Sequence, residues 1–334
     1  MKPLKPPRFA VVGLGFGDEG KGATVDFLVR QCLAWSEERP AGAEPWLPPL
    51  VVRYNGGPQA AHRVVTPYRK VHIFSQLGAG SFLPGTLTWL SHFMAVDLLT
   101  LEREAQIFAQ TGAPDVLSRL WIDARCVLVT PWHKALNRLQ ELLRTERHGS
   151  CGMGVGQALL DAEDPSKPVL RARDVLNPQT LMSRLLVIQC EKAEAARQLM
   201  QTLPAEAMTP ALQAQLEPHL ALLNSILIVR KVADAYRDFI ANAGLHLAES
   251  DALPELMRQR PVVFEGAQGV LLDRTHGFFP YVTPSHTTLR NVLALLPEDE
   301  HERTLAAEAD VRLGVPRERV LAELGYAATD QGVA

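Results

Sequence analysis

The sequence predicts an α/β fold in which a mainly parallel central sheet is flanked by helices, in the manner of P-loop-like nucleotide-binding proteins. Two observations predict it. Short apolar runs of strand length alternate with helical patterns along the first third of the chain, and glycine-rich loops follow the runs at 9–12, Leu50–Arg53 and 261–265. Strands that alternate with helices, with loops at the strand ends, are typical of a largely parallel sheet.

The individual elements of the first half follow from hydrophobic periodicity and turn residues. In chain order, the patterns predict a strand at 9–12, a helix from about Gly20, a proline-rich surface loop at 40–49, a strand at Leu50–Arg53, a hairpin of 64–65 with Val71–Phe74, a turn at 83–86, a helix at 90–108, a strand at 120–130 and an amphipathic helix at 132–147.

The second half is predicted to be mostly helical from 177 to about 258, divided by Pro204, Pro210 and Pro218, before the buried strand at 261–265. We therefore expect a nucleotide-binding domain over 1–290 with a helical subregion at about 177–260. A charged, partly helical tail would fill 291–334, with its helix at 316–324.

Composition excludes several classes of function. The chain has 334 residues, a net charge of −3 and a pI near 6.4, so it carries no electrostatic footprint for nucleic acid or an anionic membrane. No apolar run is long enough to span a bilayer, and the first residues lack the apolar stretch of a signal peptide. The four cysteines are scattered, which favours a reducing compartment and disfavours structural zinc. We expect a cytoplasmic globular protein.

The glycine-rich loop after the first strand is the most informative segment. A strand, a glycine turn and a helix start together form an anion site, because free N–H groups and the positive helix end point at one spot. Residues 15–20 satisfy the dinucleotide pattern G-x-G-x-x-G, and residues 15–21 satisfy G-x-x-x-x-G-K, although Gly22 stands where a P-loop has Ser or Thr. The dinucleotide interpretation leaves Lys21 unexplained.

Four further segments carry polar residues and glycines of the kind that bind ligands. They are 53–62, which ends in a histidine; 148–156, which contains four glycines after its first residue; 265–273; and 280–288, which is dense in hydroxyl groups. Glycine allows backbone to approach a ligand closely, and hydroxyls can bind phosphate oxygens.

The five segments together resemble the adenylosuccinate synthetase family. Its Gly-Asp-Glu-Gly-Lys-Gly loop matches residues 17–22, and recognisable versions of its four later motifs follow in the same order across roughly 8–290. The resemblance implies a ligase of purine (AMP) biosynthesis that uses GTP to join L-aspartate to IMP through a 6-phosphoryl intermediate. It also implies Mg²⁺ as cofactor and a homodimer. The charge and the apolar pattern predict no nucleic-acid or membrane partner.

The resemblance also implies roles for individual residues. Asp18 would take the proton from N1 of the purine and ligate Mg²⁺ together with a backbone carbonyl near Ala61, and His62 would donate a hydrogen bond to the leaving diphosphate. The triphosphate would bind Gly17, Glu19, Gly20, Lys21 and Gly22, and IMP would bind Gln59, Ser150, Cys151, Gln268 and Thr283. A simpler alternative for Asp18 is a helix cap.

Several positions depart from the family pattern. Ser150-Cys151 replaces two threonines, Met153 stands where arginine is common, Gln59 replaces asparagine, and Arg63 stands where a small hydroxyl residue is usual. The arginine that crosses the dimer interface in the family has three candidates here, Lys167, Arg171 and Arg173.

The C-terminal part departs furthest. Beyond residue 288 the sequence lacks the family's arginine-rich aspartate loop and its Lys-x-Asp guanine motif. Two alternatives therefore stay open beside the ligase. One is a catalytically degenerate nucleotide-binding homologue, and the other is a sister ligase for another 6-oxopurine, amine donor or triphosphate.

Overall fold

The computed structural model describes residues 5–40, 43–144 and 149–297, together with two short strands near the C-terminus. The chain divides into two units, Met1–Thr287 and Thr288–Ala334. The described residues of the second unit form one short helix and the two short strands. The predicted helix at 316–324 lies outside the described residues, and the predicted domain boundary at 290 stays a prediction.

The regular elements are numbered in chain order. The strands are β1 (Arg8–Val11), β2 (Leu50–Arg53), β3 (His62–Val65), β4 (Val71–Phe74), β5 (Leu87–Leu90), β6 (Ala95–Val96), β7 (Leu120–Asp123), β8 (Val127–Leu128), β9 (His246–Ala248), β10 (Val262–Glu265), β11 (Ala328–Thr329) and β12 (Gly332–Val333). The helices are α1 (Lys21–Glu37), α2 (Leu98–Ala109), α3 (Pro131–Leu143), α4 (Val155–Glu163), α5 (Pro178–Gln201), α6 (Pro210–Asn224), α7 (Ile226–Asn242), α8 (Ala252–Arg258) and α9 (Arg290–Leu295).

The central sheet has six strands in the order β1-β10-β2-β5-β7-β9, and every neighbouring pair is parallel. All four residues of β2 and of β10 are buried, as expected for inner strands covered on both faces. The predicted α/β class with a parallel sheet is therefore confirmed.

The register of three strands brings the ligand loops together. Val11 at the end of β1 is paired with Glu265 at the end of β10, which is paired with Arg53 at the end of β2. Because these carboxyl ends share one edge of the sheet, the loops that follow them meet there, as in other open α/β folds.

A helical layer contains the segment 178–242. Helix α5 packs against α3, α6 and α7, and it buries Leu181, Leu185 and Ile188 in the main core. The side chain of Asn177 caps α5 by accepting the Thr180 N–H, and α5 starts with proline at its first position, where a missing N–H costs nothing. Within the part of the chain that the structure describes, no helix is long and apolar enough to cross a membrane.

Two predicted elements in the first half were wrong in their bounds. The helix predicted at 90–108 begins only at Leu98, because Asp97 caps it by accepting the N–H groups of Leu99 and Thr100, and the apolar residues before it form β5 and β6. The strand predicted at 120–130 is two strands in different sheets, separated by a turn in which Asp123 accepts the Arg125 N–H.

Two predictions in the second half were also wrong. Pro218 lies inside α6 and does not divide the helical region. The region also contains strand β9, which pairs with β7 at the edge of the sheet. Its three residues are too few to show a period in the sequence.

Candidate functional site

The loop after β1 and the loop after β10 form one unit. The N–H of Val270 donates to the carbonyl oxygen of Gly13 at 2.9 Å, and that of Leu271 donates to Gly15 at 3.0 Å. Gly269 makes this approach possible, because a Cβ there would lie 2.2 Å from the Gly15 oxygen. The two glycine motifs found in the sequence are therefore parts of a single site.

The loop after β2 joins the same unit through one buried side chain. The Asn55 amide oxygen accepts the N–H of Ala267 at 2.7 Å, and its Nδ2 donates to the carbonyl oxygen of Ala267 at 3.0 Å. This pair of bonds continues the pairing of β2 with β10 for one step beyond the strands. It fixes the segment containing Gln59 beside the segment containing Gln268.

A cavity of about 320 Å³ lies where these loops meet. It is lined by Phe16, Gly17, Asp18, Glu19, Gly20, Lys21, Gly22, Gln59, Ala60, Ala61, His62, Arg63, Ala267 and Gln268. The structure thus brings together ten of the thirteen residues that the sequence predicted for the site. It also places Asp18 and Glu19 beside one lysine and one arginine.

The first loop is shaped for an anion at the start of α1. Gly20 and Asp18 both adopt left-handed backbone, with φ of +75° and +55°. The Glu19 carboxylate folds back over the loop, where its Oε1 accepts the Gly15 N–H at 2.5 Å. Lys21 is buried, and this burial lowers the pKa of its ammonium, while the charges of Glu19 and Asp18 oppose the shift.

Gly22 explains why the classical P-loop pattern is not completed. A Cβ at this position would lie 2.7 Å from Cβ of His62 and 3.1 Å from its carbonyl carbon. The serine or threonine of a P-loop therefore has no room here. The close approach instead places the first turn of α1 directly against His62.

His62 is held by a buried carboxylate. Its Nδ1 lies 2.5 Å from Oε1 of Glu265, and burial, which opposes ionisation, is outweighed by Arg53, His62 and the Ala79 N–H, so that the pKa of Glu265 is lowered. An ionised carboxylate only accepts, so Nδ1 is the donor and Nε2 is left for a ligand. Arg53 is itself buried and donates to the carbonyl oxygens of Ser75 and Leu77.

Two residues that line the cavity have buried carboxamide oxygens without a hydrogen-bond donor. Oε1 of Gln59 and Oε1 of Gln268 are both buried, and neither has a hydrogen-bond partner within 5–40, 43–144 and 149–297. Gln268 also adopts left-handed backbone, with φ of +65°. Buried polar atoms are normally hydrogen-bonded, so an unpartnered pair on one cavity wall indicates a ligand with N–H or O–H groups.

The other three predicted residues lie elsewhere. Ser150 and Cys151 line a second cavity of about 420 Å³, together with Arg138 and His219. Thr283 is buried, and its N–H donates to the carbonyl oxygen of Leu272. None of the three lines the first cavity.

The segment 148–156, called here the middle loop, leads into helix α4, and the start of α4 approaches the first site. A Cβ on Gly57 would lie 3.0 Å from Cγ2 of Val155 and 3.0 Å from Oε1 of Gln59. Gly156 follows, and its Cβ would be in ordinary contact with Pro284. The start of α4 therefore lies between two of the predicted ligand segments.

Sequence reasoning gave no role to Asp273, the last residue of the fourth motif. Its carboxylate accepts the N–H groups of Thr275, His276 and Thr287, and also the hydroxyl of Thr275. Burial opposes ionisation, but these hydrogen bonds hold the pKa of Asp273 well below its usual range. Asp273 thus links the segment 265–273 to the segment 280–288 by hydrogen bonds.

Sequence reasoning also missed Arg53 and Asn55. Arg53 ends a buried strand and Asn55 lies two residues beyond it, so the position of polar residues at the carboxyl end of a buried strand is a signal that could have identified both.

The residues present fit Mg²⁺ bound together with a substrate. Among the described residues, no group of three or more His, Cys, Asp or Glu side chains could hold a metal ion. Mg²⁺ in phosphoryl-transfer sites is usually bound by one or two carboxylates, substrate phosphates and water. Asp18 and Ala61 line the same cavity, and the carboxylate of the first with the backbone carbonyl of the second would supply such a donor set.

Comparison with known proteins gives one consistent result. A family model described as adenylosuccinate synthetase matches residues 10–300. The adenylosuccinate synthetase of Myxococcus xanthus is 28% identical over 286 residues, which are 85% of this chain and 58% of that protein. The enzyme of Chlorobium limicola is 30% identical over 287 residues, 85% and 57% of the two chains. The chain thus spans less than three fifths of these relatives.

Solved structures agree on the fold. Fully ligated adenylosuccinate synthetase from Plasmodium falciparum superposes with a TM-score of 0.63 at 20% identity, covering 89% of this chain and 59% of that one. Succinoaminodeoxyadenylate synthetase of cyanophage S-2L, bound to dGMP and dATP, gives a TM-score of 0.53 at 18% identity, covering 88% and 61%.

Proposed function

Because this chain belongs to the adenylosuccinate synthetase family of C–N ligases, we propose that it joins L-aspartate to C6 of IMP at the expense of GTP. The observation that carries the proposal is the shared cavity of Asp18, Lys21 and His62. It holds a carboxylate base, a phosphate-binding lysine and a hydrogen-bond donor within reach of one ligand. The reaction belongs to purine (AMP) biosynthesis.

The first step is phosphoryl transfer to the purine oxygen. As O6 of IMP attacks the γ-phosphorus, the proton on N1 moves to the Asp18 carboxylate, the O6–phosphorus bond forms, and the bond from that phosphorus to the bridging oxygen of GDP breaks. Lys21 and the loop N–H groups hold the phosphates. When bound, Mg²⁺ supplies neutralisation of phosphate charge, held by Asp18 and the Ala61 carbonyl.

The second step forms the C–N bond. The amine of aspartate attacks C6, the C6–O6 bond breaks to release inorganic phosphate, and the proton that the amine loses passes to the departing phosphate. His62 acts in the first step. It donates a hydrogen bond from Nε2 to the leaving GDP, while its Nδ1–H remains hydrogen-bonded to Glu265. A ring that donates from both nitrogens is an imidazolium, and the buried Glu265 carboxylate supplies the opposite charge beside it.

We propose that Gln59 and Gln268 bind IMP. Their buried carboxamide oxygens lack hydrogen-bond partners among the described residues and would accept N–H or O–H groups of the substrate. Thr283, Ser150 and Cys151 are proposed as further IMP contacts on the family resemblance alone, and they would require the substrate to extend beyond the first cavity. A homodimer is proposed on the same basis, with Lys167, Arg171 or Arg173 reaching the partner's site.

The alternatives are separated by one product assay. Purified protein is incubated with Mg²⁺ and every combination of IMP or GMP, GTP or ATP, and aspartate or another amine, and the nucleotides are then separated by chromatography. The proposal expects adenylosuccinate and one phosphate per product with IMP, GTP and aspartate. Another productive combination would identify a sister ligase. Nucleotide binding without product in every combination would identify a degenerate homologue.

A further inference from the structure

The cavity contains a cation that the proposed reaction has not used. Arg63 is the second residue of β3, directly after His62, and it lines the same cavity as the phosphate loop. Its side chain is exposed, whereas His62 and Val64 on either side are buried. Arg63 is therefore available to a ligand in the cavity without any rearrangement of the core.

Arg63 has no partner of its own in the described parts of the chain. No hydrogen bond or ion pair involves its guanidinium there. Arg53, the other arginine near the site, is fully buried, does not line the cavity, donates from Nη1 to two carbonyl oxygens and lies beside Glu265. A guanidinium presents five donors in a planar fork, which matches the oxygens of a phosphate.

Arg63 changes the net charge of the side chains that line the cavity. The charge of an imidazolium at His62 is balanced by Glu265. The other charged side chains of the wall are two carboxylates, Asp18 and Glu19, one ammonium, Lys21, and one guanidinium, Arg63. Without Arg63 the wall would be net negative toward a ligand that is itself a polyanion. With Arg63 the acidic and basic side chains balance, and the added cation stands next to the phosphate loop.

We propose that Arg63 binds phosphate oxygens of the nucleoside triphosphate and so raises the affinity of this chain for its phosphate donor. Its place in the ligase reaction rests on the proposed function, but phosphate binding does not depend on it. The family's usual small hydroxyl residue would offer one hydrogen bond here, whereas arginine offers charge and two parallel bonds.

The test measures phosphate binding apart from base recognition and catalysis. Calorimetry determines the affinity of the full chain for inorganic tripolyphosphate with Mg²⁺, for the wild type and for Arg63→Gln and Arg63→Lys. Arg230→Gln is the matched control, because Arg230 is exposed on α7 and does not line the cavity. Thermal melting checks that each variant is folded.

We expect Arg63→Gln to weaken tripolyphosphate binding about tenfold, as for a lost charged hydrogen bond, and to raise the KM for GTP by the same factor. Arg63→Lys should recover part of the loss, and Arg230→Gln should show none. Unchanged tripolyphosphate binding in Arg63→Gln would overturn the proposal, even if the KM for aspartate rose. A wild type that binds tripolyphosphate through Arg63 yet forms no nucleotide product would refute the ligase function alone.

Discussion

Nδ1 of His62 lies 2.5 Å from Oε1 of Glu265, which joins the start of β3 to the end of β10. The other oxygen of that carboxylate accepts the Ala79 N–H at 2.9 Å, so both oxygens of Glu265 are engaged. The orientation of the imidazole is therefore set by a carboxylate in the sheet, and this carboxylate is stabilised by Arg53 on the neighbouring strand.

Replacing His62 should impair catalysis without preventing triphosphate binding. His62→Asn removes the donor at Nε2, so kcat of the proposed ligase reaction should fall on the order of 100-fold, while the triphosphate still binds. Steady-state kinetics and tripolyphosphate calorimetry measure the two effects. A variant with wild-type kcat would show that His62 is only structural.

Replacing Glu265 should lower stability, in addition to removing the charge that supports His62. Glu265→Gln removes the negative charge beside the fully buried Arg53 and leaves that guanidinium uncompensated, which costs about 3–5 kcal/mol of unfolding free energy. Urea denaturation measures this loss of unfolding free energy. Equal unfolding midpoints for wild type and variant would contradict the pairing of Arg53 with Glu265.

Lys21 should take up a proton when the triphosphate binds. Burial lowers the pKa of the free ammonium, and phosphate oxygens favour its charged form, so the pKa rises on binding. Calorimetry of tripolyphosphate binding, in two buffers of different ionisation enthalpy and at several alkaline pH values below the ordinary lysine pKa of about 10.4, should therefore show net proton uptake. The uptake should be absent in Lys21→Met, and an equal heat in both buffers for the wild type would disprove the shift.

Asp273 should contribute stability that is lost in acid. Its pKa is held below the ordinary value of about 4, so its contribution is present above that pH and disappears as the pH falls through the lowered pKa. Asp273→Asn should lose about 2–3 kcal/mol at neutral pH, because charged hydrogen bonds to Thr275 and Thr287 are weakened. Urea denaturation of the wild type and of Asp273→Asn between pH 7 and about pH 3 measures the effect. The difference in their unfolding midpoints should become smaller as the pH falls.

Gly269 should not tolerate a methyl group. Gly269→Ala would place Cβ against the backbone oxygen of Gly15, so the two loops must separate, and both stability and tripolyphosphate binding should fall. Gly156→Ala is the control for stability, since its Cβ would meet only Pro284 at 3.8 Å and alanine favours the helix. If both variants melted like the wild type, the close pairing of the loops would be refuted.

Local patterns predicted the elements that build the site. The apolar run before Gly13, the glycine-to-helix transition at Gly20 and the buried strand ending at Glu265 all lie within a residue or two of their predicted positions. The hairpin of β3 and β4 was also predicted. Each of these elements is short, bounded by turn residues and consistent with its neighbours, so its pattern is decided locally.

Tertiary pairing decided the rest. The left-handed backbone of Asp18, the clash that excludes a side chain at Gly22 and the contact of His62 with Glu265 all join residues that are distant in the sequence or require backbone geometry that no pattern states. The placement of Ser150 beside Arg138 depends likewise on how α3 packs against the middle loop.

The most direct test of the account is the phosphate released by Asp18→Asn in the presence of IMP, GTP, Mg²⁺ and aspartate. The variant keeps the size of the side chain and loses the base, so IMP-dependent phosphate release should fall at least 100-fold. Tripolyphosphate, measured here without Mg²⁺ because Asp18 is also the proposed Mg²⁺ ligand, should still bind within about threefold of the wild type. Phosphate release and adenylosuccinate formation at the wild-type rate would contradict the assignment of Asp18 as the proton acceptor at N1.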